Sequence, residues 1–278
     1  MLGSILGDII GSRFEGRNYP KINNFLLFNH ESKYTDDTVL TCAVADVILN
    51  KSTYNRAIRS YYHKYPYVGY GSAFKRWAKD QDAQAYNSFG NGSAMRVSPI
   101  AFSSKSLDEV LLESKKSAEV THNHPEGIKG AQAIASATYL AFHGSDKKEI
   151  EKYMKSFGYD TDVFFTSEHN GFDCSCQETV PQAITAFLSS HDFESCIRDA
   201  ILMGGDSDTI AAMAGSIAHA YYKDIPQGII DEAFSRIPND LADITCEFMK
   251  KYVNKDFECT IRMNKQNEQN DLFRSIFS

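Results

Sequence analysis

The sequence predicts an all-α protein, one compact multi-helix bundle, on three observations. Apolar residues recur at the 3.6-residue spacing of a helix along most of the chain. Sustained apolar/polar alternation, the mark of a half-buried strand, is nearly absent. No Pro/Gly/Ser linker, low-complexity tract or repeat divides the chain, so residues 1–278 are expected to form one domain of roughly ten helices.

Leu2, Ile5, Leu6, Ile9 and Ile10 mark the first helix, and Gly3, Gly7 and Gly11 form a second stripe along it at intervals of four. Glycine weakens a helix, so three at this spacing predict a neighbouring helix packed unusually close. Val39, Leu40, Ala43, Val44, Val47 and Ile48 mark a second helix directly after Thr35-Asp36-Asp37-Thr38. Residues 71–78 read as a helix with Phe74 and Trp77 near one side, either in the core or along the edge of a cleft. Ser106 to Glu109 and Asp146 to Glu149 resemble capping boxes ahead of helices over about 106–120 and 146–157. Gly127 to Phe142 is alanine-rich with almost no breakers, and His124 before Pro125 suits an N-cap with proline in the first turn. Further helices are expected over roughly 177–189, 192–203, 208–222 and 239–251. Phe25 to Phe28 and Val163 to Phe165 read as short strands or buried loops, and Tyr61 to Tyr67 as an aromatic stretch bordering a cleft or covering one end. The polar run Asn264 to Asp271 precedes a small apolar anchor, Leu272, Phe273, Ile276 and Phe277.

A chain that is 42% hydrophobic and 12% aromatic can fill a substantial core, which excludes wholesale disorder. Twenty-nine Lys and Arg against 36 Asp and Glu give a net charge of −7 with no dense basic stripe, which excludes gripping nucleic acid as the main task. The spacing of Cys174-Ser-Cys176 suits neither a zinc knuckle nor a CxxC redox site, so the six cysteines are expected to be buried thiols in a reducing cytosol. The apolar start MLGSILGDIIG lacks a basic leader and is interrupted by Asp8, and no later segment is apolar for long enough to span a bilayer. The expectation is a soluble, cytoplasmic monomer.

Acidic residues cluster at two helix starts. Thr35-Asp36-Asp37-Thr38 precedes one apolar helix, and Gly204-Gly205-Asp206-Ser207-Asp208-Thr209 precedes another. Each, taken alone, is explained by capping and by the helix dipole, which favours carboxylates in the first turn. Four carboxylates converging at buried helix ends would instead repel one another unless protonated or neutralised. Two hard divalent cations would match the charge of Asp36, Asp37, Asp206 and Asp208, with Asp oxygens and Thr hydroxyls as ligands. Asp8 and Glu15, seven apart, share a face if the first helix continues through Phe14, and there either a carboxylate orients or deprotonates a water, or Asp8 bonds to backbone and Glu15 faces water near Arg13 and Arg17.

The constellation resembles the ADP-ribosylglycohydrolase family, the group that includes the dinitrogenase-reductase-activating glycohydrolase. The resemblance runs in order through Gly7-Asp8 to Glu15, Tyr34 to Thr38, Ser88 to Pro99, Thr121 to Pro125 and Gly204 to Thr209, followed by the small-residue helix Ala211 to Ala220. It implies an all-α bundle with a binuclear Mg²⁺ or Mn²⁺ centre in a cleft. Thr35, Asp36 and Asp37 match ligands of one cation; Asp206, Asp208 and Thr209 match ligands of the second, with Asp208 placed to bridge. Glu15 matches the acidic residue that gates the site and acts in catalysis. Ser88, Phe89, Gly90, Asn91 and Gly92 match a loop lining the ADP-ribose cleft, and His122 a wall residue near the substrate.

The implied reaction is metal-dependent hydrolysis of the C1″ linkage between ADP-ribose and an acceptor, with an arginine-modified protein as the first substrate to test and a small ADP-ribosyl conjugate as another. A non-catalytic ADP-ribose binder and a divalent-metal phosphohydrolase remain as alternatives. Local chemistry leaves several roles open. Gly90 and Gly92 allow close backbone approach to a diphosphate, or form a plain turn. Asn91 either donates to a ribose hydroxyl or holds the turn, and His122 either contacts substrate or makes a structural hydrogen bond. Arg96 pairs with phosphate or with a buried carboxylate such as Asp8.

Overall fold

The structure, a computed structural model, describes residues 1–16, 20, 22–162 and 172–258. Its helices are α1 (Leu2–Gly11), α2 (Asp36–Asn50), α3 (Tyr54–Lys64), α4 (Ser72–Lys79), α5 (Ser98–Ser103), α6 (Leu107–Glu119) and α7 (Pro125–Phe142). They continue as α8 (Lys147–Ser156), α9 (Cys176–Ser189), α10 (Phe193–Leu202), α11 (Ser207–Tyr222), α12 (Gln227–Phe234) and α13 (Asn239–Tyr252). Short 3₁₀ turns fall at Ser12–Phe14 and Asn91–Ser93. Among the described residues the only β pairing is two isolated bridges, Gly16 with Gly205 and Gly90 with Ser175. The all-α class and the compact bundle are as expected.

The number of helices is not. Thirteen are described where about ten were expected from spacing. The extra ones include α3, which buries Tyr54, Ala57, Ile58 and Tyr62 at helical spacing, and the short α5 and α12. Phe25 to Phe28 form no strand, and Val163 to Phe165 and the anchor at 272–277 lie outside the described residues.

The glycine stripe of α1 explains the centre of the fold. A Cβ at Gly3 would meet the backbone of Gly215, one at Gly7 the backbone of Ala211, and one at Gly11 the carbonyl of Ser207. The partner positions fall as the α1 positions rise, so α1 and α11 run antiparallel along their whole length. Both helices are buried on nearly every side, since α11 also packs on α7, α9 and α10. Bare backbone at every fourth position of α1 lets the two axes approach further than Cβ-bearing residues allow. The antiparallel pairing sets the middle and C-terminal end of α1 against the N-terminal end of α11. Asp8 and Asp208 therefore meet.

Side-chain caps fix several of the other starts. Thr35 caps α2 by accepting from the Asp37 amide, His124 Nδ1 caps α7 by accepting from the Glu126 amide, and Asp146 with Glu149 forms a full capping box on α8. Ser106 and Glu109 complete only half a box on α6, because the Glu109 carboxylate accepts from Lys105 rather than from the cap itself. Phe74 and Trp77 are core residues, packed with Tyr62 and Tyr70, while Tyr67 is exposed. Cys42, Cys176 and Cys196 are buried thiols, whereas Cys174 is an exposed thiol and Cys246 is disulfide-bonded, two departures from the expected set. Among the described residues no helix is long and apolar enough to cross a membrane.

Candidate metal centre and cleft

The convergence required by the two acidic motifs is present. Thr209 Oγ1 donates to Asp37 Oδ2 at 3.1 Å, joining the first turns of α11 and α2. Carboxylate oxygens of Asp8, Asp37 and Asp208 lie within 4.8 Å of one another, and so do those of Glu15, Asp206 and Asp208. These are two adjoining candidate cation sites with Asp208 common to both. All but Glu15 are buried.

Asp8 reaches across from α1 to the start of α2. Its carboxylate accepts from the Thr35 amide at 2.9 Å, the Thr35 hydroxyl at 2.7 Å, the Thr38 amide at 3.1 Å and the Thr38 hydroxyl. An anion there also suits the positive end of the α2 dipole. Asp36 sits differently. It is half-buried, its amide donates to Val68 O at 2.8 Å, and its Oδ1 fills the space beside Gly69. It is in neither of the two carboxylate groups, one of which joins Asp8 to Asp37 and Asp208, yet Asp8, Asp206 and Glu15 are near enough to raise its pKa.

Glu15 arrives by a route the sequence does not show. The first helix ends at Gly11 and gives way to the Ser12–Phe14 turn, so Asp8 and Glu15 are not two turns apart on one helix. Instead the Gly16 amide donates to Gly205 O at 2.7 Å, and both glycines have positive φ, +78° and +69°. That bridge sets Glu15 next to Asp206.

Every carboxyl in the cluster is raised, with burial as the first cause. Burial, and then the neighbouring carboxylates, push Asp36 up to about 8 and hold Asp37 and Asp208 well above the usual carboxylate range. Burial raises Asp8 to about 6 despite its four hydrogen bonds. Asp206 is raised by burial, and Glu15 by burial and then by Asp206. Oδ1 of Asp37 is buried with no hydrogen-bond partner. A bare buried carboxylate oxygen is costly unless a cation faces it. With only carboxylate and hydroxyl oxygens in the set, the donors suit hard divalent cations rather than zinc or copper. The residues fit a binuclear divalent centre.

The glycine-rich loop is built against this centre. Asn91 Nδ2 donates to Asp206 Oδ2 at 2.8 Å, and the Asn91 amide donates to Cys174 O at 2.7 Å. Cys176 N donates to Phe89 O, and the Cys176 thiol donates to Gly90 O, which clamps the loop to the start of α9. The Gly90 amide donates to Ser88 Oγ at 3.1 Å, so it turns inward and is not a free diphosphate donor. Phe89 is exposed and edge-on to His124, with centroids 5.5 Å apart. Gly92 has His122 Nε2 beneath it, and His122 itself is buried. Arg96 is fully buried and bonds to Ser117 O and Thr121 Oγ1, so it pairs with neither of the partners expected for it.

Taken together, a helical bundle that holds two carboxylate groups around a shared aspartate at the joined starts of two buried helices has the architecture of a metal-dependent hydrolase. The chain belongs to the ADP-ribosylglycohydrolase family, whose model matches residues 1–254. It is 26% identical to the chicken (Gallus gallus) ADP-ribosylhydrolase ARH3 over 339 residues, covering 89% of this chain and 92% of that protein. It is also 26% identical to the ADP-ribosylarginine hydrolase Tri1 of Pseudomonas putida over 259 residues, covering 80% of this chain and 69% of that protein. A solved ADP-ribosylglycohydrolase-related protein complex has the same fold, with a TM-score of 0.63 at 23% identity over 87% of this chain and 89% of that one.

Proposed function

We propose that the protein hydrolyses the C1″ glycosidic linkage between ADP-ribose and an acceptor side chain, arginine being the first acceptor to test, and releases ADP-ribose. The observation that carries this reading is Asp208 shared between two carboxylate groups, one of which ends in the exposed Glu15. Family membership supplies the substrate class, and the name of the Pseudomonas relative supplies the choice of arginine.

Thr35, Asp36, Asp37, Asp206, Asp208 and Thr209, with Asp8 beside them, would hold two divalent cations, Mg²⁺ or Mn²⁺. Bound there, the cations supply fixed positive charge that can anchor the hydroxyls of the proximal ribose. The loop Ser88, Phe89, Gly90, Asn91 and Gly92 lines the cleft for the rest of ADP-ribose, with His122 beneath it. Glu15 is the catalytic carboxylate. Exposed at the mouth and raised in pKa, it is placed to take a proton from the attacking water and to stabilise positive charge on C1″. The bond from C1″ to the acceptor breaks, the water oxygen joins C1″, and the acceptor leaves with a proton. Asn91, by holding one oxygen of Asp206, fixes the direction of the other.

The test is a substrate panel of ADP-ribosyl-arginine, ADP-ribosyl-serine and O-acetyl-ADP-ribose, assayed with Mg²⁺ and with Mn²⁺. Free ADP-ribose from at least one conjugate supports the proposal. Phosphate or AMP as product makes the protein a phosphohydrolase, and tight ADP-ribose binding without release makes it a binder.

A further inference from the structure

Arg96 is fully buried, and no carboxylate among the described residues reaches it. Its Nη2 donates to Ser117 O at 2.6 Å and to Thr121 Oγ1 at 3.0 Å. Thr121 Oγ1 lies 2.7 Å from Nδ1 of His122. Arginine has only hydrogens to give, so Oγ1 is the acceptor in its contact with Arg96. The hydroxyl still has one hydrogen to place, and among the described residues His122 Nδ1 is the acceptor within its reach. If Nδ1 carried a proton, it too would donate to Oγ1, and a buried O–H would be left with nothing to bond. The hydrogen-bond inventory closes only when Nδ1 accepts.

The other ring nitrogen faces the glycine loop. Nε2 is 3.1 Å from where a Cβ on Gly92 would sit and 3.6 Å from where one on Gly90 would sit. Side chains at those positions would cover it. Burial, and then the nearby Arg96 cation, disfavours a second proton on the ring.

We propose that Arg96, acting through Thr121, fixes His122 as the neutral Nε2–H tautomer, a hydrogen-bond donor aimed through the bare backbone of Gly90 and Gly92 at an acceptor-rich ligand on that loop. The ligand half of this statement rests on the ADP-ribose reading above; the tautomer half does not. Arg96 and Thr121 are positioning residues, since each acts through His122.

The experiment is ¹⁵N NMR of the full chain labelled at histidine, with Mg²⁺ present, alongside calorimetric titration of ADP-ribose. In the wild type His122 should show a protonated Nε2 and an unprotonated Nδ1. Thr121→Val should mix the tautomers and weaken ADP-ribose binding about tenfold, the loss of roughly one hydrogen bond, at unchanged Mn²⁺ affinity. Thr121→Ser, which keeps the hydroxyl, should restore both. Arg96→Met should give the Thr121→Val spectrum, and where it fails to fold, Thr121→Val and Thr121→Ser carry the test. A protonated Nδ1 in the wild type, or an unchanged spectrum in Thr121→Val, overturns the relay. An intact tautomer in a protein that binds no ADP-ribose overturns the ligand half and the function proposed above, and leaves the relay standing.

Discussion

Thr209 Oγ1 donates to Asp37 Oδ2 at 3.1 Å across 172 positions of sequence, so the starts of α2 and α11 are two halves of one site. Each start alone is a helix with acidic residues in its first turn. Joined, they place more negative charge in a buried space than protein groups neutralise, and that excess gives the site its chemistry.

Asn91 is the loop's link to the centre. Asn91→Ala removes the donor on Asp206 and frees that carboxylate to rotate. Loss of such an orienting partner typically costs about 10- to 100-fold in metal affinity. Titration with Mn²⁺ should show a loss near the lower end for one site, with little change in thermal stability. An unchanged affinity would mean that the loop and the metal site are independent.

Gly11→Ala tests the close helix pair. The new Cβ would lie 2.5 Å from Ser207 O and 2.6 Å from Asp208 Cα, both backbone atoms that cannot swing aside. Overpacking of this kind typically costs about 1–3 kcal/mol. The urea midpoint should fall, and Mn²⁺ affinity should fall with it, because Asp208 is what moves. A variant with wild-type midpoint and affinity would show that α1 and α11 are not locked at this end.

The carboxylate cluster sets a pH dependence in metal-free protein. A carboxyl whose folded pKa is raised contributes stability that is whole below the unfolded value and gone once pH has risen through the folded one. For Asp8 and Asp36 the window runs from about 4 up to about 6 and about 8. The melting temperature of chelated protein should therefore fall from pH 5 to pH 8.5, and stabilisation by added Mg²⁺ should grow over the same range. A chelated protein that gained stability across this range would contradict the assigned burial.

Glu15→Gln keeps the shape of the side chain and removes its basicity. Turnover should fall at least about 100-fold, the lower range for loss of a general acid or base. ADP-ribose binding, measured by calorimetry, should stay close to wild type. An unchanged rate removes Glu15 from the chemistry.

How much of this was legible follows from which contacts are local. The fold class, the capped starts at Thr35 and Asp146, and the close packing implied by Gly3, Gly7 and Gly11 could be read directly, since period and capping are properties of neighbouring residues. The identity of the helix against that stripe could not be read, because Gly215 and Ala211 are ordinary members of an apolar helix. Asp8 stands out in the sequence for its seven-residue spacing from Glu15, whereas its place beside Asp37 and Asp208 depends on the antiparallel pairing of α1 and α11. Two signals mark Glu15 in the sequence, the family resemblance and a helical register with Asp8; the register does not exist, the Gly16 to Gly205 bridge sets its position, and no local pattern encodes a contact 189 positions away. The partners of Arg96 are likewise non-local: a carbonyl in the last turn of α6 and a threonine just beyond it, and neither leaves a mark in the segment of Arg96 itself.

The most direct test of the central claim is the stoichiometry and affinity of Mn²⁺ binding in the wild type and in Asp208→Asn. Two sites in the wild type and the weakening of both by one substitution is the expected result, because a single aspartate serves both carboxylate groups. Two sites of undiminished affinity in Asp208→Asn, or no Mn²⁺ bound by the wild type, would contradict it.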